Sequence, residues 1–248
     1  MERQIIARGL LAGAVAGVLS FVFARIFVEP VIDRAIAFED HGEAMAHDHG
    51  GHERGVELFT RGVQANIGMG FGVLAFSVAM GALFAVVYYV AYGHVGNLSP
   101  QLLSVLIAGG MLLSLYVIPA LKYPANPPAA SLAETIRQRT LLFLLMVVFS
   151  AAVLVAAVYV GRRLAPRFGA WNATLMAAGS YVVAVAVVIL VLPAIDETPE
   201  HFPADDLYDF RLYSLGTQIV MWTTIALVFA PLAARLLGEA RRAESVSA

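Results

Sequence analysis

The sequence predicts an all-α fold: a polytopic transmembrane helical bundle that forms a single membrane domain over residues 1–248. Three observations predict this class. Of the 248 residues, 60% are hydrophobic and only 14% are charged, whereas about a quarter of the residues of a soluble domain are charged. Six apolar stretches approach or exceed the length of about 20 residues that crosses the hydrocarbon core. The charged residues are concentrated between these stretches.

The predicted spans follow one another along the whole chain. The second and third are joined by a short turn, Gly93–Pro100, and so form a hairpin. A count of five stays open because the third span is short and is expected to end at Pro119, but six is favoured. The predicted spans are Ile5–Val28, Ile67–Tyr92, Leu102–Ala120, Leu141–Gly161, Trp171–Ile195 and Leu212–Leu236.

The first span carries glycines at every fourth position, Gly9, Gly13 and Gly17. This spacing places them on one helical face, where a neighbouring backbone can approach closely. We therefore interpret the face mainly as a packing surface, with a functional groove as the alternative. No small-x-small cleavage site follows the apolar run, so the span is read as a retained helix rather than a signal peptide.

Orientation is predicted from the positions of lysine and arginine. Basic residues follow the fourth and sixth spans (Arg162–Arg167, and Arg241 with Arg242), while the acidic segment between the fifth and sixth spans holds only Arg211. This favours cytoplasmic N- and C-termini. Two acidic loops, at 29–65 and 196–211, and the loop Lys122–Arg139 would then share the extracytoplasmic side, where acidic loops attract cations.

An acidic, histidine-rich run, FEDHGEAMAHDHGGH (Phe38–His52), lies in the first of these loops and contains four of the six histidines. Imidazole nitrogen and carboxylate oxygen are ligands for first-row divalent metals. Gly50 and Gly51 favour a flexible loop that can gather several ligands around one ion. A polar loop that chelates only weakly is the alternative. The predicted metal ligands are His41, Glu43, His47, Asp48, His49 and His52, with His201 as a weaker candidate from the last acidic loop.

Two further segments are candidates for a transport path. ALKYPANPPA (Ala120–Ala129) contains three prolines that forbid a helix, so we expect a stiff turn that displays Lys122, Tyr123 and Asn126 at the membrane surface. A purely architectural turn is the commoner interpretation of such a loop. At the end of the first span, Arg25 and Glu29 stand four residues apart. A helix-end ion pair is favoured there, and guidance of a cation is the alternative.

Several functions are excluded or disfavoured by what the sequence lacks. With no cysteine there is no thiolate metal site. There is no Walker motif and no H-E-x-x-H motif, so an enzyme is not expected, and no tightly bound cofactor is predicted. No basic stripe suggests nucleic-acid binding. The second to sixth spans as drawn carry no Asp, Glu, Lys or His, although such residues commonly mark ion pathways.

The sequence segments described above occur in an order that resembles the CbtA family of predicted cobalt transporter subunits. The resemblance is carried by FARIFVEPVIDRAIAFE (Phe23–Glu39), the histidine-bearing acidic loop, TRGVQANIG (Thr60–Gly68) and PALKYPANPP (Pro119–Pro128). It implies a bacterial inner-membrane protein that imports cobalt for cobalamin synthesis. It also implies a small, single-span, histidine-bearing partner of the CbtB type. The family is usually described with five spans, whereas six are counted here.

The resulting hypothesis is a membrane subunit that captures Co²⁺ on its extracytoplasmic loops and passes it inward. The alternative is a non-transporting metal-binding or scaffold protein that delivers ions to a separate permease. The lack of Asp, Glu, Lys and His in the second to sixth spans favours this alternative slightly, because such residues commonly mark ion pathways. The sequence does not distinguish cobalt from nickel or zinc, because His/carboxylate sites follow a generic affinity order.

Overall fold

A computed structural model describes residues 2–46, 60–96, 98–128, 130, 135–195, 198 and 201–247. All regular elements within these residues are helical, which confirms the all-α class. The helices are α1 (Glu2–Phe23), α2 (Glu29–Ala46), α3 (Arg61–Val63), α4 (Met69–Ala91), α5 (Pro100–Leu112), α6 (Ile118–Lys122), α7 (Ile136–Phe168), α8 (Ala170–Val191) and α9 (Ala204–Ser247). Three π-helical turns join consecutive helices: π1 (Ala24–Val28), π2 (Gln64–Gly68) and π3 (Leu113–Val117).

The predicted count of six spans is confirmed. Six continuous helical segments are long and apolar enough to cross a membrane. They are Glu2–His41, Ala65–Ala91, Pro100–Lys122, Ile136–Phe168, Ala170–Val191 and Ala204–Gly238.

Two helices of the structure continue past a proline. The third span was expected to end at Pro119, but its helix runs on to Lys122, and the first continues past Pro30 to Ala46. In each case a π-turn ends two residues before the proline, and a backbone N–H bonds five residues back, from Glu29 to Ala24 and from Ile118 to Leu113. We attribute the continuity to this wider turn, which makes room for the proline ring. Residues 29–46 of the predicted loop are therefore helical.

The described residues form two compact units, one from 1–109 and 204–248 and the other from 110–203. In the first unit, α1 packs against both α4 and α9. The predicted glycine face makes the α1–α4 contact, since a Cβ added at Gly13 would stand only 2.9 Å from the Cα of Val78. Phe229 of α9 packs edge-on against Phe84 and Tyr88 of α4, with ring centroids 5.1 and 4.9 Å apart. The packing interpretation of the glycines is confirmed.

The second unit is built on the antiparallel pair α7 and α8, against which π3 and α6 pack. Gly169 makes the tight connection between the two helices with a φ of +79°, a conformation that favours glycine. Ser150 and Tyr181 form a buried hydroxyl–hydroxyl hydrogen bond of 2.7 Å between them. The core consists of Ile118, Tyr123, Met146, Ala157, Ala177, Tyr181 and Val185.

Candidate functional site

The first candidate feature is a helical arm, α2, which carries the start of the acidic, histidine-rich run. The continuous helix Glu2–Ala46 has 45 residues, or about 68 Å at 1.5 Å per residue, roughly twice the thickness of the hydrocarbon core. Its buried stripe continues through Val28, Val31 and Ala35. Beyond that point Glu39, Asp40 and His41 are exposed. The arm therefore presents its acidic end to solvent.

His41 lies on this exposed part of the arm. Its Nδ1 stands 2.5 Å from the carbonyl oxygen of Ala37, one helical turn earlier. Because a carbonyl only accepts, Nδ1 carries the proton in this pairing. The neutral ring then keeps its lone pair on Nε2, the atom with which it would bind a metal.

The predicted metal ligands are only partly covered by the structure. His47, Asp48, His49 and His52, and the side chain of Glu43, lie outside the described residues. His201 is exposed and stands before α9 with a φ of +69°. Among the described side chains, no group of three or more histidines and carboxylates is arranged to hold a metal ion. The ligand set therefore stays a prediction.

Two carboxylates of the last acidic segment are held by an arginine of the arm. Arg34 Nε lies 2.5 Å from Asp206 Oδ1, and its Nη2 lies 3.3 Å from Asp209 Oδ2. The Asp206 side chain is 14% exposed, but that of Arg34 is 48% exposed, so the pair remains open to water on the arginine side. Asp206 and Asp209 are thus counter-ions of an arginine in this structure, and the arm is tied to the beginning of α9.

A second polar bridge joins the first two spans where π1 and π2 face each other. Arg25 Nε donates to Asn66 Oδ1 at 3.1 Å, and Asn66 Nδ2 donates to the Gly62 carbonyl at 2.9 Å. Glu29, which follows π1, is only 2% exposed. Non-α backbone beside a buried carboxylate is a common setting for ion sites in membrane proteins.

Asn66 is the functional candidate that sequence reasoning missed. It lies within TRGVQANIG, which drew attention only as part of the family resemblance. An amide at the start of an apolar span was the available signal. Its pairing with Arg25, 41 positions away, depends on the antiparallel packing of two helices.

The KYPANPP turn of the second unit is held by partly buried hydrogen bonds. Tyr123 is 2% exposed, and its hydroxyl donates to the Pro193 carbonyl at 2.8 Å. Burial also raises the pKa of the Tyr123 phenol. Asn126 Nδ2 donates to the Ala130 carbonyl at 3.3 Å, while Arg139 donates to the carbonyl of Pro124.

The expectation that Tyr123 is displayed at the surface is therefore wrong. Its ring belongs to the core of the second unit, because a buried phenol can be accommodated where a carbonyl accepts its proton. Lys122 and Asn126 are half-buried. The turn has a clear architectural role, and any part of Lys122 or Asn126 in transport remains a prediction.

Comparison with protein-family models supplies the observation that places this fold in a family. The model described as "probable cobalt transporter subunit (CbtA)" matches residues 2–234, which include all six spans except the end of the last. The chain belongs to the CbtA family. Comparisons with curated proteins and with solved structures gave no match.

Membership of the CbtA family agrees with the helices described above. A transporter subunit is expected to cross the membrane several times, and the chain has six segments that can do so. The family description names a transporter component rather than an enzyme, and the word subunit implies a partner. The resemblance noted from the sequence is confirmed over nearly its full length.

Proposed function

We propose that this protein is the membrane subunit of a system that takes up a divalent transition metal, with cobalt for cobalamin synthesis as its cargo. The observation that carries the proposal is the family match over residues 2–234. The helical arm supports it, because it connects the first span directly to the acidic, histidine-rich run. The cargo ion is gathered there and is not a resident cofactor.

The proposed capture site consists of side chains at and beyond the end of the arm. Neutral imidazole and carboxylate together suit Co²⁺, Ni²⁺ and Zn²⁺. Binding requires deprotonated imidazole, so mild acid would release the ion. Asp206 and Asp209 are left out of the proposed site, because both already pair with Arg34. The proposed ligands are His41, Glu43, His47, Asp48, His49 and His52, with a lesser part for His201.

From the capture site, the proposed path leads to a group of polar side chains between the first two spans. We call this group the mouth and define it as Arg25, Glu29 and Asn66. The buried carboxyl group of Glu29 directly follows π1, and Asn66 in π2 accepts a hydrogen bond from Arg25 in π1. Oxygen ligands of this kind favour a passing divalent ion over permanent capture. Lys122 and Asn126 remain secondary candidates for the path.

The proposal includes an orientation and a partner. The termini face the cytoplasm of a bacterial cell, and the arm faces outward from the inner membrane. A small single-span subunit with its own histidines completes the complex. The distribution of basic residues around the later spans supports the orientation, and the family description as a subunit supports the partner.

The test is uptake of radiolabelled Co²⁺ by cells in which this chain and its partner are the sole cobalt route. We expect the fourfold variant with His41, His47, His49 and His52 changed to alanine to have a higher KM and an unchanged maximal rate. His94→Ala is the matched control, because His94 lies in the turn after α4, outside the proposed site. Equal uptake by the fourfold variant and the control at every concentration would contradict the capture role.

A second function, metal delivery to a separate permease, is favoured by one observation. The second to fifth spans contain no Asp, Glu or His, so they offer few ligands to a bare ion. Reconstitution of the chain alone in liposomes with an internal metal-sensitive dye separates the two functions. Flux without a partner supports a permease, whereas binding without flux, and still none after the partner is added, supports delivery.

A further inference from the structure

Three buried polar atoms of the first unit have no hydrogen-bond partner among the described residues. They are Ser20 Oγ of α1, Ser77 Oγ of α4 and Trp222 Nε1 of α9, and none of the three residues is more than 2% exposed. Buried polar groups are nearly always hydrogen-bonded. In the apolar part of a membrane span an unmet group is especially costly, because bulk water does not reach it. Each of these atoms therefore lacks the partner that its burial requires.

The two serines differ from Ser104, a third buried serine of the first unit. Ser104 Oγ donates to the carbonyl of Pro100 at 2.9 Å, four residues earlier in the chain. A hydroxyl in a helix commonly bonds in this way to its own backbone. Ser20 and Ser77 make no such bond, so their hydroxyls are available to a molecule held between the helices.

Ser20 and Ser77 lie beside the same glycine of α1. A Cβ added at Gly17 would stand 3.2 Å from the Cβ of Ser77. Ser20 follows Gly17 by three residues, which places it on the same helical face, about 4.5 Å further along the axis. Both of these α1 positions are buried. The two serines are therefore neighbours in the contact between α1 and α4.

Trp222 of α9 lies at the same level as Gly17. The Phe23 ring stands 2.6 Å from a Cβ added at Gly216, so these two residues face each other. The helices α1 and α9 are antiparallel. Six residues forward along α9, from 216 to 222, therefore correspond to six residues back along α1, from 23 to 17.

The contact between α4 and α9 leads to the same placement. The rings of Phe84 and Phe229 pack together with their centroids 5.1 Å apart. Both helices are antiparallel to α1, so they run in the same direction. Ser77 and Trp222 each precede their ring by seven residues, or about two helical turns. The two residues therefore stand at one level and on the faces that the ring pair brings together.

The surroundings favour a small, neutral ligand at this level. Residues 9–24 of α1, 69–91 of α4 and 212–234 of α9 contain no charged side chain, so a buried ion would stay uncompensated. An indole N–H only donates, whereas a hydroxyl donates or accepts; the ligand must therefore accept a bond. Packing is close, since a Cβ added at Gly17 would stand 2.9 Å from the Leu74 side chain. Water has the required size and chemistry.

We propose that Ser20, Ser77 and Trp222 form a binding site for one buried water molecule, which joins α1, α4 and α9 near the middle of the membrane. A buried water typically makes about three hydrogen bonds to groups that are otherwise unsatisfied. The indole N–H and the two hydroxyls supply that number. Along the first span, Ser20 lies about 18 Å from Arg8 and about 21 Å from Arg34. The water thus provides a polar link between three helices in an otherwise apolar part of their contact.

The first experiment compares the thermal stability of full-length serine variants in detergent. Ser104→Ala is the matched control for Ser20→Ala and Ser77→Ala, because each change replaces a buried helical serine by alanine and receives the same gain in helix propensity. Loss of a hydroxyl that binds the water should place Tm about 2–4 °C below that of the control, the shift expected for one lost hydrogen bond.

The sign of this difference is decisive. If no water is bound, each change removes a costly unmet hydroxyl, and Tm lies at or above that of Ser104→Ala. That result in either variant would overturn the three-residue site.

The second experiment observes the water at the indole by NMR. Trp171 is the only other tryptophan of the chain, so Trp171→Phe leaves the Trp222 indole N–H as a single signal in the full-length protein. We expect a cross-peak between this proton and water, its retention in Ser104→Ala, and its loss when Ser20→Ala and Ser77→Ala are combined. Absence of the cross-peak from the Trp171→Phe protein would overturn the proposal, as would its persistence in the double serine variant. The spectrum of the protein with both serines intact decides the question even if a serine variant fails to fold.

Discussion

Replacing Gly81 by alanine tests the close contact between the first two spans. A Cβ at position 81 would stand 2.7 Å from the Cα and 2.8 Å from the backbone nitrogen of Gly13. The carbonyl oxygen of Gly9 would lie closer still, and ordinary van der Waals contact of a Cβ begins at 3.4 Å. The helices would therefore have to separate by at least about 0.7 Å. Because the obstructing atoms belong to the backbone, no change of side-chain rotamer can relieve the clash.

This separation sets the size of the expected effect. A gap of 0.5–1 Å loses about a quarter to a half of the dispersion energy of each affected contact, and overpacking typically costs about 1–3 kcal/mol. In a chain of about 150–250 residues, 1 kcal/mol corresponds to roughly 2–4 °C in Tm. We therefore expect the Tm of Gly81→Ala to lie about 2–12 °C below that of an alanine variant at an uncrowded glycine of the same helix. The measurement is the fraction of purified protein that stays monodisperse in detergent after heating.

Gly72→Ala is the control, since Gly72 lies in the same helix, α4, and no atom stands within 4 Å of a Cβ added there. Alanine is favoured over glycine in a helix by about 1 kcal/mol, and both variants receive this gain. The difference between them thus isolates the steric term. A Gly81→Ala protein as stable as Gly72→Ala would refute the proposed close packing.

Two further predictions concern buried hydroxyls of the second unit. Tyr123→Phe should lower the free energy of unfolding by about 1 kcal/mol, measured by thermal melting against the exposed control Tyr208→Phe; equal Tm values would contradict the hydrogen bond to Pro193. Because burial raises the pKa of Tyr123, the ultraviolet difference between the parent and Tyr123→Phe should titrate above pH 10, and the associated stability should be full below that pH and lost above it. Ser150→Ala should destabilise by about 1–3 kcal/mol, because it leaves the buried hydroxyl of Tyr181 without its partner. Adding Tyr181→Phe should recover part of that loss, and simple additivity of the two changes would contradict a shared bond.

The spans were predictable because hydrophobic length is a local property. Each predicted span overlaps a helix of the structure, and the glycine spacing of the first span indicated its packing face before any partner was known. Where a prediction about a span was wrong, the error concerned the residue at which the helix ends. A proline usually ends a helix, but Pro119 follows a π-turn and the helix continues to Lys122. Nothing in the residue pattern signals this wider turn.

The candidate site was predictable in composition but only partly in arrangement. The histidine-rich run is evident as a run of metal-ligand residues, and its ligand geometry stays a prediction. Tyr123 shows the limit more clearly, since proline-rich surroundings suggested a surface turn, yet its hydroxyl reaches a carbonyl 70 positions away. Burial of a polar side chain depends on whether such a partner is present.

The sequence by itself determined the membrane class, favoured six spans, showed the resemblance to the CbtA family and revealed a metal-binding composition, because these follow from local composition and motif. Only the tertiary structure decided which charges pair with one another. The sequence places Asp206 and Asp209 in an acidic loop, and only the structure shows that both pair with Arg34, more than 170 positions earlier. That contact exists because close packing sets the register of the helices, and register is a property of facing surfaces rather than of any one segment.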